Sequence, residues 1–229
     1  MLKKTSAVVL NYIKYKETSI IAKIFTREIG LKSYIINGVR SKTGKNKIGF
    51  YQPMSLLDLV VYDKGNSGLQ RISETKLAYA SQQIPFDFRR TSISLFMAEV
   101  IGKSIFEDYQ NESLFDFIHQ SVLHLDSNRV NLAHFPSIFL INQAKYLGFA
   151  PADAKEFFLE SMIQPFEIEE LERVKYFVDD ALRNGFSTSQ KLSKTNRQLM
   201  LDYLKDFYSR HMDQDLKWKT LDILRQISG

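Results

Sequence analysis

The chain has 229 residues, with 31 Lys plus Arg against 26 Asp plus Glu and no cysteine. That length buries a real core as one large or two small domains, and 44% hydrophobic with 25% charged residues is an ordinary globular composition. The zero cysteine count excludes disulfides, thiolate zinc sites, iron–sulfur clusters and cysteine nucleophiles, and it fits a reducing cytosol. The longest apolar runs, such as Ala7–Leu10 and Ser19–Ala22, fall far short of the roughly 20 residues of a spanning helix. No membrane partner is expected. The apolar stretch behind Met1-Leu2-Lys3-Lys4 stops at Asn11 without a cleavage pattern, so Met1 is the expected start of the mature protein.

In chain order the first elements read as strands. Ala7–Ile13 is β-branched and aromatic, Thr18–Thr26 follows, and Arg27-Glu28-Ile29-Gly30 makes a turn before Leu31–Val39 resumes extended character. Met54–Tyr62 and Leu69–Tyr79 supply two more strands, separated by the turn chemistry of residues 63–68. Five short strands without a long helix predict a small barrel.

After Pro85 the period becomes helical. Ile93, Phe96, Met97, Val100, Ile101 and Ile105 recur at the spacing of one buried helix face. Asn111 is the expected N-cap of a second helix, with the stripe Leu114, Ile118, Val122 and Leu125. A third, around Leu132–Leu147, meets its stop signals at Gly148 and Pro151. Leu171, Val174, Val178 and Leu182 mark a fourth, Leu199 to Tyr208 a fifth, and Leu221, Leu224 and Ile227 a short last one. The aromatic and methionine stripes are read as core.

Charge divides where the period changes. Residues 1–80 hold 14 Lys plus Arg against 5 Asp plus Glu, a balance of +9, and residues 81–229 hold 17 against 21, a balance of −4. A basic front part points to a polyanion, most simply nucleic acid, with a solvated lysine-rich surface as the plainer alternative. The densest stretch is Val39–Gly49, where Arg40, Lys42, Lys45 and Lys47 stand with two glycines and no acid. Such a segment lays cations along a phosphate backbone without reading sequence, and its affinity falls with salt. Tyr12, Tyr15, Tyr34, Phe50 and Tyr51 are candidate stacking platforms, although strand alternation must turn about half of them inward.

Catalytic motifs are sparse. No phosphate-binding loop, dinucleotide fingerprint, nucleophile elbow or H-E-x-x-H is present, and His119, His124, His134 and His211 lack metal-ligand spacing. No metal or cofactor is expected. Asp58 followed by Glu74-Thr75-Lys76 matches the loose D…E-x-K spacing of metal-dependent nucleases, and equally suits a cross-strand charge arrangement. A second basic group, Lys191, Lys194 and Arg197, either extends a phosphate track or is a solvated helix start.

The residues resemble a known family. Tyr15, Glu17, Ser19, Phe25-Thr26, Gly30, Gly38-Val39-Arg40-Ser41-Lys42, Gln52-Pro53 and Leu56 are similar to the N-terminal domain of RecO, the bacterial DNA-repair mediator family of the RecF pathway. Phe139–Phe149 with Ala150-Pro151 resembles the family's F-x-x-x-x-L-x-x-L-G-[YF]-x-P helix end, with Ala144 in place of the first leucine. The resemblance implies an α+β chain: a five-stranded OB-fold β-barrel over 1–80, then an all-α domain over 81–229. It further implies a non-enzymatic protein that binds single- and double-stranded DNA and anneals complementary strands. Its implied partners are RecR and the acidic, apolar-ended C-terminal tail of single-stranded-DNA-binding protein (SSB), and it helps load RecA on SSB-coated strands. Arg40 and Lys42 carry over as DNA contacts from the matching motif. Lys45 and Lys47 are added on charge and proximity, and Arg27 and Lys32 are expected to help neutralise phosphates. A bacterial cytoplasmic, nucleoid-associated location follows from the same resemblance. Many members carry four zinc-binding cysteines after the Leu147-Gly148-Phe149-Ala150-Pro151 segment; Asp153–Gln164 has none, so that module is absent or replaced near 152–166. The alternatives carried forward are a metal-dependent nuclease using Asp58, Glu74 and Lys76, and an RNA-binding OB-fold adaptor.

Overall fold

A computed structural model describes residues 1–41, 48–63, 68–159, 163 and 165–227. Five strands come first: β1 (Leu2–Tyr15), β2 (Ser19–Thr26), β3 (Gly30–Ile36), β4 (Leu56–Tyr62) and β5 (Gln70–Leu77). They close into a barrel of order β1-β2-β3-β5-β4, in which every pairing is antiparallel except β3 with β5. This is an OB-fold barrel, as the sequence led us to expect.

Closure depends on β1, which at 14 residues is twice the length that its apolar segment predicts. Its first half pairs with β4 and its second half with β2, so one strand supplies both edges. The register shifts between Val9 and Asn11, a bulge that bends the strand. At the bulge the segment leading into β4 adds its own bonds, with Met54 N–H donating to Val9 C=O and Val9 N–H to Ser55 C=O (2.7 and 3.1 Å).

Seven helices follow among the described residues: α1 (Phe88–Ser104), α2 (Glu112–Asp126), α3 (Phe135–Leu147), α4 (Ala154–Leu159), α5 (Ile168–Asn184), α6 (Lys194–His211) and α7 (Lys219–Ile227). Their ends carry the expected chemistry. Asn111 caps α2 by accepting from Leu114 N–H (2.9 Å), and Gly148 ends α3 in the left-handed region at φ +86°, where Phe149 N–H reaches back to Ala144 C=O (3.1 Å). Helix α3 starts at Phe135 rather than Leu132, with Pro136 in its first turn. Helix α4 has no counterpart among the predicted elements, because six residues are too few to show a helical period.

The alternation of β1 joins barrel and helices. Ala7 and Val9 point into the barrel with Ile20, Ile24, Tyr34 and Leu59, while Val8 and Leu10 point outward. Those outward residues, together with Phe25, Leu31 and Leu56, belong to the same buried cluster as α1 and α2, so the barrel wall is part of the helical core. Phe25 and Phe115 mark the seam at 5.9 Å between ring centroids.

Candidate nucleic-acid interface

The barrel has two ends with opposite electrostatic fates. At the β2–β3 turn, Arg27 donates from Nε and Nη2 to the two carboxylate oxygens of Asp116 (2.8 and 3.0 Å), and its Nη1 lies 2.9 Å from Glu112. The fork-on-carboxylate geometry holds Asp116 below its ordinary range and raises the Arg27 guanidinium. Lys32 is buried and ion-paired with Asp108, and the neighbouring Ser33 N–H donates to Glu107 Oε1 (2.9 Å). Backbone bonds complete the joint, Leu31 N–H to Tyr109 C=O (2.9 Å) and Asp108 N–H to Leu31 C=O (2.8 Å). Gly30 makes this approach possible: its φ is +82°, and a Cβ there would stand 2.4 Å from Tyr109 O. Of the six expected DNA-binding cations, Arg27 and Lys32 are therefore ion-paired with acids of the helical part. Their reach to the acids of 107–116 is a tertiary pairing that charge counting along the chain does not show.

Arg40 stands at the other end, near the β1–β2 turn. Its backbone N–H donates to Thr18 C=O (3.0 Å) and its Nη1 to Lys16 C=O (3.2 Å), which fastens the start of the basic segment to that turn. Val39 beside it is an anchor in the barrel core. Lys14, at the end of β1, and Lys16, in the turn that follows, are exposed there, the latter 5.4 Å from the Tyr15 ring centroid. These two lysines lie outside the dense Val39–Gly49 run, so charge density along the chain does not single them out. Lys42, Lys45 and Lys47 lie outside the described residues.

The candidate aromatics sort by burial. Tyr34 is wholly inside the barrel, and Tyr51 is buried with its hydroxyl 2.8 Å from Thr75 Oγ1. Burial pushes both phenols up, Tyr34 beyond the range of ordinary pH and Tyr51 against the smaller opposing pull of its Thr75 hydrogen bond. Tyr12 packs partly against the barrel core. Tyr15 and Phe50 keep half-exposed rings at the Arg40 end. The second basic group belongs to the helices: Lys191 and Lys194 are exposed there, and Arg197 Nη1 donates to Leu192 C=O (3.0 Å).

The nuclease constellation does gather on one surface. Asp58 stands opposite Lys76 and Val60 opposite Glu74 on the outer face of β4 and β5, beside Ser6, whose hydroxyl donates to Asp58 Oδ1 (3.3 Å). The carboxylates are two residues apart along the ladder with the lysine facing Asp58, which is the cross-strand charge arrangement. Among the described residues no three His, Asp or Glu side chains come together in a metal-holding group. The family's four-cysteine zinc module has no donors, since the chain lacks cysteine, and the described residues after Pro151 make ring contacts, Phe157 with Phe207 (5.2 Å) and Phe158 and Phe166 with Tyr203 (5.1 Å each).

A further joint, between β5 and α1, is built on one carboxylate. Asp126, at the end of α2, accepts from the backbone N–H of Gln82, Gln83 and Ile84 (2.7, 2.9 and 2.7 Å) and from the Tyr79 hydroxyl (2.8 Å). Burial disfavours its charge, but these four donors outweigh that and hold the carboxyl below its ordinary range. Nothing in the local sequence marks a lone Asp at a helix end for that task.

Comparison with known proteins matches both parts of the chain to one family. Residues 1–80 match the family described as "Recombination protein O N terminal", and residues 85–220 match "Recombination protein O C terminal". The chain is 34% identical over 236 residues to DNA repair protein RecO of Flavobacterium psychrophilum, covering 98% of each chain. It is 34% identical over 238 residues to the protein of the same name in Flavobacterium johnsoniae, again covering 98% of each. The Bacteroides fragilis protein of that name is 28% identical over 247 residues, with 99% of each chain covered.

Proposed function

The chain belongs to the RecO family of DNA repair proteins, mediators of recombinational repair and not enzymes, and from that premise we propose that it binds DNA through the Arg40 end of its barrel. Residues 1–80 form the DNA-binding part and 81–229 the part that meets proteins. Arg40, Lys42, Lys45 and Lys47 neutralise phosphates, while Arg27 and Lys32 hold the barrel on the helices. Annealing needs no active site: it needs two strands held with their repulsion screened and their bases free to pair. RecR and the SSB tail are the proposed protein partners, loading of RecA on SSB-coated strands the proposed outcome, and the bacterial cytoplasm beside the nucleoid the proposed location.

One observation carries this reading. Arg40 is fastened by two hydrogen bonds to the turn that carries Lys16 and follows Lys14 at the end of β1, so the basic segment starts from a defined place beside two exposed lysines. The test is strand annealing with EDTA present over a salt series, comparing wild type with Arg40→Ala/Lys42→Ala/Lys45→Ala/Lys47→Ala. Four lost phosphate contacts on single strands flatten the slope of log affinity against log salt by about 3, at roughly 0.7 per contact. An unchanged slope refutes the assignment. Annealing that requires Mg²⁺ and consumes strand would restore the nuclease reading, and equal preference for matched RNA would favour the RNA-binding adaptor.

A further inference from the structure

Strand β5 has one paired edge and one open edge. Toward β4 its pairing runs from Arg71 to Leu77, whereas toward β3 only Gln70 and Arg71 are paired. Just past the strand, Ala78 N–H donates to Leu56 C=O (2.9 Å). In an antiparallel ladder such bonds recur at every second residue, so Lys76 and Glu74 also turn their backbone groups to β4. Thr75 and Leu77 turn theirs away, and among the described residues those outward N–H and C=O groups meet no hydrogen-bond partner. Ser73 is skipped where the register shifts, a bulge that bounds the open edge. Ser73, Glu74, Lys76 and Leu77 are all exposed, so solvent reaches this edge.

An open edge accepts another strand, and a charge placed on it ordinarily keeps strands off. The charges here select one strand instead. Laid antiparallel on itself about a two-fold axis through Thr75, β5 sets Thr75 opposite Thr75 of the second copy. Lys76 then stands opposite Glu74 of the second copy, and Glu74 opposite Lys76 of the second copy. Among the described residues neither side chain has an ion pair of its own, although Asp58 faces Lys76 across the β4–β5 ladder.

We propose that the partner of the β5 edge is a second copy of this chain, joined by antiparallel pairing of β5 with β5 about Thr75. The two Thr75 residues exchange N–H to C=O hydrogen bonds. Residues 74 and 76 form the closer, non-hydrogen-bonded pairs on either side, about 4.5 Å between Cα atoms, which lets carboxylate and ammonium meet. Leu77, 39% exposed, is shielded by Ser73 of the second copy. A slip of two residues in one direction opposes Lys76 with Lys76, and in the other Glu74 with Glu74, so charge fixes this register against its neighbours. A second copy carries the matching pattern by symmetry, which favours it over a foreign strand. Such a pair brings two basic segments into one assembly, one for each of two strands to be annealed.

Sedimentation velocity of the full chain without DNA, from about 1 to 100 μM, tests the pairing. Wild type is expected to pass from one chain to two within that range. Lys76→Glu and Glu74→Lys each place like charges opposite one another twice, and each is expected to weaken association at least about tenfold. The double reversal Glu74→Lys/Lys76→Glu restores the match and is expected to return association to within about threefold of wild type. Both side chains are exposed, and thermal melts check that the fold is kept; should one single reversal unfold, the other reads the same contact. A wild type that stays monomeric overturns the proposal. So does a dimer that the single reversals leave intact, or one that the double reversal fails to restore. Because the measurement contains no DNA, its outcome is independent of the DNA-binding reading.

Discussion

His134 sits buried where α3 begins, and its two ring nitrogens are both committed. Nε2 accepts from Leu192 N–H (2.8 Å), which requires Nδ1 to carry the proton and donate to Asn131 Oδ1 (3.2 Å). Burial, with Arg197 and Lys191 close by, pushes the imidazole down to about 4, against a smaller upward pull from the Leu192 bond. An unfolded histidine titrates near 6.5, so between pH 6.5 and 4 the unfolded chain binds the proton and the folded chain does not. Stability is therefore lost as pH falls through that window, by roughly 2 kcal/mol at pH 5 and roughly 3 kcal/mol at pH 4. His134→Gln keeps an acceptor for Leu192 and a donor for Asn131 but cannot titrate. Urea unfolding of both proteins at pH 7, 5 and 4 isolates the histidine, since every carboxylate contributes equally to the two curves. The wild-type curve is expected to fall below that of the variant by those amounts. Parallel curves would refute the assignment of a neutral, buried His134.

Three further outcomes follow from the two joints of the barrel. Asp126→Ala removes a charged acceptor from three backbone N–H groups and the Tyr79 hydroxyl, and should cost about 3 kcal/mol in denaturant melts, with Asp126→Asn costing less because one oxygen remains. Gly30→Ala places a methyl against Tyr109 O at a left-handed φ, so a loss of at least about 2 kcal/mol is expected in thermal unfolding. Arg27→Ala and Lys32→Ala should lower the melting temperature and leave the salt slope of DNA binding unchanged, whereas Arg40→Ala should flatten that slope by about 0.7.

The barrel was legible because its signal is local. Alternating β-branched runs and turn residues place five strands, and the helix caps at Asn111 and Gly148 fall where short-range hydrogen-bond chemistry puts them. What the sequence conceals is pairing across the chain. Val8 and Val9 read alike, yet one packs on helices and the other fills the barrel, which only the closed topology decides. Lys32 and Arg40 are both cations beside β-branched strands, and nothing within eight residues of either reveals that one meets Asp108 and the other a turn carbonyl. The same gap hid Asp126, whose four partners lie more than forty residues upstream.

Those long-range pairs also explain how a chain of modest net charge presents a concentrated one. The front part carries an excess of nine positive charges, and the rear part four negative ones. Glu112, Asp116 and Asp108 meet the front part at one end of the barrel, where they neutralise Arg27 and Lys32 and secure the β2–β3 turn. Carboxylates placed there are screened from the far end by distance and by salt, since the Debye length is about 8 Å at physiological ionic strength. The acids of the helical part thus fix the orientation of the barrel without cancelling the potential at Arg40, Lys14 and Lys16. Reversing a junction acid, for example Asp116→Lys, should therefore loosen the joint with Arg27 and lower thermal stability. The salt dependence of DNA binding should change little, because the proposed DNA-binding end at Arg40 is the opposite end of the barrel from the new cation. A steeper salt slope in that variant would mean that the strand reaches the junction and that the two ends of the barrel are not electrostatically separate.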